Sequence, residues 1–171
     1  GIPADAITGA TPLVLAKNGT MTSLVDLFIG RTSGCVGETS TIAILIGAAL
    51  LVLTRIASIR TILGCLLSFS LLGALLHWAA PARVNPLAFN LLAGGFLFGA
   101  VFMATDPVTG PVTGSAKWSY GIIIGSVTLL IRSFSGYVEG VMFAILLGNI
   151  LAPLLDEIVI RNKIRSYARE N

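Results

Sequence analysis

Beyond residue 40 the chain alternates long apolar runs with short polar connections. The runs occupy residues 40–54, 61–78, 87–104, 119–132 and 138–155. They are continuous and rich in Leu, Ile and Ala, without the strict alternation that marks a half-buried strand, so they predict helices. A straight crossing of a bilayer core needs roughly 20 apolar residues. Several runs fall short of that, which predicts short or broken spans. Upstream, residues 21–29 place apolar positions at helical spacing over too short a length to cross, the pattern of a helix lying in the membrane interface. Residues 30–40 carry three glycines and predict a tight or re-entrant turn. The expected fold is therefore all-α and membrane-integral, with about five transmembrane helices. The predicted layout is residues 1–39 as loop, interfacial helix and Gly-rich turn, 40–157 as the bundle, and 158–171 as a basic cytoplasmic tail.

Composition agrees with that pattern. Of the 171 residues, 55% are hydrophobic and only 11% charged, and the mean hydropathy is +0.91, whereas an ordinary soluble domain carries roughly 25% charged residues. The chain opens on Gly1 in what reads as mid-loop, the expectation for a piece of a longer polypeptide. Cys35 and Cys65 lie one in a loop and one in an apolar run, and with His77 they form no metal-ligand spacing. No iron–sulfur cluster or zinc site is expected on this chain alone. The net charge of +3 is scattered over segment ends instead of forming a patch, so nucleic acid is not an expected partner.

The scattered cations orient the chain. With residues 1–39 outside and five crossings, Arg55, Arg60, Lys117, Arg161, Lys163, Arg165 and Arg169 fall inside, against Lys17, Arg31, Arg83 and Arg132 outside. That distribution follows the positive-inside tendency, and the inverted topology breaks it.

Candidate chemistry begins at Asp5-Ala6-Ile7-Thr8-Gly9-Ala10-Thr11-Pro12. A side chain that is to be modified by another protein needs an exposed hydroxyl and a slim approach. Gly9 and Ala10 supply the approach, Pro12 biases Thr11 away from the α region, and Asp5 and Thr8 can hold the turn through nearby amides. The same residues also suit an ordinary helix start, with Thr11 as N-cap and Pro12 at the first helical position. The glycine pairs Gly95/Gly99, Gly121/Gly125 and Gly136/Gly140 are each four apart and predict close helix packing. They form no phosphate loop.

Four stretches together resemble the NqrB/RnfD family: Thr8-Gly9-Ala10-Thr11, Gly34-Cys35-Val36-Gly37-Glu38-Thr39-Ser40, Phe102-Met103-Ala104-Thr105-Asp106-Pro107-Val108-Thr109, and the run from Glu139 to Leu146 continued by Asn149 and Ala152-Pro153-Leu154-Leu155-Asp156. They occur in family order and cover nearly all of the chain. The resemblance implies a membrane subunit of an ion-pumping respiratory complex. The complex is either the Na+-translocating NADH:quinone oxidoreductase or the related ferredoxin:NAD oxidoreductase, in a bacterial inner membrane. It also implies FMN esterified through its phosphate to Thr11, riboflavin elsewhere in a full-length subunit, and a fold forming one repeat of a urea-transporter-like inverted-repeat bundle. The implied partners are quinone, Na+, and other membrane and flavin or iron–sulfur subunits. The competing reading is a non-redox transporter or channel with an unmodified loop.

Carboxylates at membrane depth need a physical reason. Glu38 and Glu139 precede apolar runs and suit helix N-termini, whereas Asp106 and Asp156 stand where runs end and the helix dipole opposes an anion. These two, with Thr105 adding a neutral oxygen, are the candidates for a Na+ path, and both are expected near one membrane face. Asn149 is a further neutral oxygen. His77 and Trp78 are expected to be an interfacial pair, and Phe96, Phe98 and Phe102 to be lipid-facing or core.

Overall fold

A computed structural model describes residues 11–17, 22–32, 34, 39–79, 86–135, 137 and 139–170. Asp5, Thr8, Gly9, Ala10, Cys35, Glu38, Arg83 and Gly136 lie outside the described residues. The order of elements is α1 (Pro12–Lys17), α2 (Leu24–Ile29), α3 (Thr41–Leu53), α4 (Ile59–Ala79), α5 (Leu87–Leu92) and α6 (Phe96–Phe98), which runs directly into a π-helical segment (Gly99–Met103). Two long helices follow, α7 (Gly114–Phe134) and α8 (Val141–Glu170). No strand occurs among the described residues. Two helical stretches, Ile59–Ala79 and Val141–Ala168, are long and apolar enough to cross a membrane, and Thr41–Leu53 is a shorter apolar helix.

The third apolar run is broken, as its glycines allow. α5 stops at Leu92, Ala93 is extended, Gly94 takes φ +73°, and the chain turns into α6 through Gly95. The positive φ is one that glycine adopts without the Cβ clash other residues meet. The π-helical turn after it is a wide ring of a kind that recurs at functional irregularities in helices.

α4 and α7 form the spine of the bundle, and they pack backbone to backbone. A Cβ on Gly121 would lie 2.6 Å from the Thr61 carbonyl oxygen and 3.0 Å from the Cys65 nitrogen, and one on Gly125 would collide with Ser68 Oγ and the Cys65 carbonyl. The small face therefore exists because no side chain fits there. Around it Cys65, Phe69, Phe96, Ala100, Tyr120, Ile124, Leu129 and Ala144 are fully buried. Phe69 and Phe96 stack at 4.0 Å between ring centroids. Tyr120 donates to Asn149 Oδ1 at 2.5 Å and ties α7 to α8. Phe96 is thus core, while Phe98 and Phe102 are half-buried and face each other at 5.0 Å. Trp78 is 87% exposed.

Two helices are longer than the apolar pattern predicts. α7 starts five residues before its apolar run, at Gly114. α8 continues through Pro153 and includes the basic segment expected to be a separate tail. Half of residues 154–165 are strong helix formers, no Gly or Pro interrupts them, and Glu157 pairs with Arg161 one turn on at 2.6 Å. Asp156 therefore stands inside a helix and not at its C-terminus, so the dipole does not oppose its charge. α2 leaves Leu24, Val25, Phe28 and Ile29 exposed while burying Leu27.

Candidate functional site

Thr11 is half-buried at the head of α1, and its carbonyl accepts from Leu15 N at 3.0 Å, so it takes the cap position before Pro12. The residues beneath it are anchored. Pro12 and Leu13 are buried, and Leu13 packs with Leu27 of α2 and with Phe89 and Ala93 beside the α5–α6 break. Thr11 is consequently held over the break with its side chain outside any helix interior.

The break itself is organised by a residue that the sequence pattern places at a solvated segment end. Arg132, in the last turn of α7, is 7% exposed. Its Nη1 donates to the Asn90 carbonyl at 2.8 Å and to the Ala93 carbonyl at 3.2 Å. Interrupting a helix orphans carbonyls, and a buried carbonyl without a partner is costly. An arginine fork supplies several donors from one side chain. Its guanidinium lies 5.8 Å from the Phe69 ring centroid and 5.9 Å from that of Phe96, within cation–π range. Glu139 closes the arrangement. Its Oε2 stands 4.0 Å from Arg132 Nη2, and its Oε1 accepts from Gly95 N at 3.3 Å. The sequence pattern assigns Glu139 to the start of the last span, where it stands two residues before α8, and from there it also serves the break and the buried cation.

Gly94 is where these parts converge. A Cβ there would meet Glu139 Oε1 and Leu13 Cδ1 and would lie 3.0 Å from Arg132 Nη2. One glycine thus admits α1, the end of α7 and the approach to α8 to the same point. A signal for Arg132 is present in the sequence: Gly121, Gly125, Thr128 and Arg132 follow each other at spacings of four, three and four, which puts the arginine on the close-packed face.

The second expected centre is the other end of the π-helical segment. Asp106 Oδ1 accepts from Val108 N at 3.3 Å, and its Oδ2 from Thr109 N at 3.2 Å and Thr109 Oγ1 at 2.8 Å. The Thr109 hydroxyl, followed by the Val108 amide, holds this carboxyl below the usual carboxylate range. Asp156 reaches from α8 to the far end of the same loop. Its Oδ2 accepts from Val112 N at 2.8 Å, and its Oδ1 from Thr113 N at 2.8 Å and Thr113 Oγ1 at 2.6 Å. Thr113 makes no side-chain cap of its own, and Asp156 instead ties the residues that lead into α7 to α8.

The two carboxylates thus lie at the two ends of one loop, 106–113, as expected of residues at a common face. A cavity of about 240 Å3 is lined by Ser58, Thr61, Thr105, Asp106 and Lys117 among others, with Asp156 outside the lining. The Thr105 hydroxyl donates to the Val101 carbonyl at 2.6 Å. A carboxylate offers about four acceptor positions, so three donors at each aspartate leave limited room for a cation. No group of three or more His, Cys, Asp or Glu residues converges among the described residues.

Residues 2–165 match the NQR2, RnfD, RnfE family. Among named relatives is the B-type subunit of the Na(+)-translocating NADH-quinone reductase of Azotobacter vinelandii. The chain is 41% identical to it over 179 residues, covering 98% of this chain and 44% of that relative. It is 43% identical over 176 residues to the protein of the same name from Chromohalobacter salexigens, covering 96% and 43%. Against the Pseudomonas aeruginosa counterpart it is 40% identical over 179 residues, covering 98% and 44%. The chain therefore spans less than half the length of these relatives.

Proposed function

Because the chain belongs to the NQR2, RnfD, RnfE family, we propose that it is part of the NqrB membrane subunit of a Na+-translocating NADH:quinone oxidoreductase and carries FMN esterified to Thr11. The observation that carries this reading is the position of Thr11, half-buried at the head of α1 and anchored through Leu13 over the α5–α6 break. When bound, the flavin supplies the electron relay. The chain's own residues provide the acceptor oxygen, a proline that biases Thr11 away from the helical region, and a floor braced by Arg132 and Glu139. The names of the relatives favour the quinone-linked complex over the ferredoxin-linked one.

In this reading α3, α4, the α5–α6–π segment, α7 and α8 make five passages, with Thr11 outside and the basic end of α8 in the cytoplasm. The broken third passage suits one repeat of an inverted-repeat bundle, in which irregular backbone is tolerated where protein satisfies it. Na+ passes the 106–113 loop, where Asp106 keeps about one open acceptor position and the Thr105 hydroxyl its lone pairs, and Asp156 fixes the loop in place. Lys117 lines the same cavity, so a cation there competes with a fixed ammonium. The experiment is in-gel flavin fluorescence of the subunit in its complex: present in wild type, lost in Thr11→Ala with the protein still inserted. Fluorescence that survives in Thr11→Ala sinks the assignment.

A further inference from the structure

The end of the bundle that carries the 106–113 loop holds a cationic cavity that the flavin and ion reading leaves unused. It measures about 380 Å3 and is lined by Arg60, Gly114, Ser115, Trp118, Val159 and Lys163. Three helices build it: the first turn of α4, the first turn of α7 and the outer half of α8. Gly114 makes the cradle, since a Cβ there would collide with the Arg60 guanidinium. Arg55 and Lys117 extend the positive lining through an adjoining cavity of about 300 Å3 that shares Arg60. No carboxylate lines either cavity among the described residues.

The nearby anions are engaged elsewhere: Glu157 pairs with Arg161, and Asp156 accepts from Val112 and Thr113 and acts electrostatically on Lys117. The helix dipole does not explain the cations, because Arg60 and Lys117 stand in first turns, where it disfavours positive charge. An anion seated against Arg60, with Lys117 near it in the adjoining cavity, eases the conflict.

We propose that this cavity binds the phosphate of an anionic phospholipid, with Arg60 and Lys163 as its ligands. A lipid fits better than a free phosphate because apolar tracks lead away from the cations. On α4, Ile59, Leu63, Leu67, Leu71 and Leu75 are exposed at four-residue spacing, and on α8 Leu154 and Ile158 are exposed one turn apart. Trp118 supplies the aromatic that favours headgroup depth, and basic pockets between helix ends are the usual seat of acidic headgroups. The inference rests on α4 and α8 lying in a bilayer and is independent of the flavin.

The test uses the detergent-purified complex containing this subunit and labelled phosphatidylglycerol, with phosphatidylcholine and inorganic phosphate as competitors. Phosphatidylglycerol should bind saturably and resist displacement by either competitor. In Arg60→Gln/Lys163→Gln its affinity should fall roughly thirtyfold, from about 1 kcal/mol per surface cation. Arg31→Gln/Arg165→Gln, which removes two exposed charges elsewhere, should bind as wild type. Flavin fluorescence measured on the same samples keeps a failure here distinct from a failure at Thr11. Equal displacement by inorganic phosphate would mean a free-phosphate site and overturn the lipid assignment. Unchanged affinity in Arg60→Gln/Lys163→Gln would overturn the cavity itself.

Discussion

Arg132 Nη1 lies 2.8 Å from the carbonyl oxygen of Asn90, joining the last turn of α7 to the last turn of α5 where the third apolar run breaks. This contact makes the break tolerable in an apolar bundle, since the orphaned carbonyls obtain a donor from the neighbouring helix.

Arg132→Met should therefore destabilise the subunit sharply. Two carbonyls lose their shared donor, at roughly 1–3 kcal/mol for each buried unsatisfied group, and Glu139 loses the facing cation. Hydrogen exchange at residues 86–95 should rise before the α4–α7 spine is affected. Glu139→Gln should be milder, because the amide oxygen still accepts from Gly95. If exchange in 86–95 is unchanged in Arg132→Met, the arginine does not hold the break.

Gly121→Ala should cost about 1–3 kcal/mol, the usual range for overpacking, because its Cβ would meet backbone atoms of Thr61 and Cys65 that cannot swing away. Gly73→Ala is the control. There the nearest atom is Leu87 Cδ1 at 3.2 Å, the end of a side chain that can rotate. Thermal unfolding in detergent compares the two, and equal losses would contradict backbone-to-backbone packing.

The apolar runs announce α3, α4 and α8, and the glycines at 94 and 95 mark where the third run fails. Arg132 escapes because a lone arginine in Ile-Arg-Ser-Phe at the end of an apolar run has the pattern of a solvated residue. Only its helical register with Gly121 and Gly125 reveals the burial. Asp156 is misplaced by the pattern for a different reason. A proline three residues before it suggests a helix end, whereas the helix formers downstream carry α8 past Pro153. Its role at α7 is a contact across 43 residues with Thr113, and local pattern has no access to such a pairing.

Asp106 should respond to pH through Thr109. Its pKa is depressed in the folded state, so its contribution to loop stability is fully present above the ordinary carboxylate range and is lost as pH falls through the lowered folded value. Thr109→Val removes the largest cause and should raise the Asp106 pKa toward the ordinary value, moving the acid-induced opening of 106–113 to higher pH. Asp106→Asn should keep the flavin and weaken the Na+ dependence of turnover. Full Na+ stimulation at normal flavin content would make this carboxylate purely structural.

Orientation can be read by cysteine labelling of Lys17→Cys and Arg165→Cys in intact cells. Position 17 should label from outside, and position 165 only after permeabilisation. The reverse pattern would place the Thr11 segment in the cytoplasm.

The most direct test of the flavin assignment is the mass of the proteolytic peptide spanning Thr11, taken from the subunit purified in its complex. This peptide should be heavier than its sequence by FMN less one water, with fragmentation placing the addition on Thr11 and leaving Thr8 bare. An unmodified peptide from active complex, or an addition on any residue other than Thr11, would contradict the assignment.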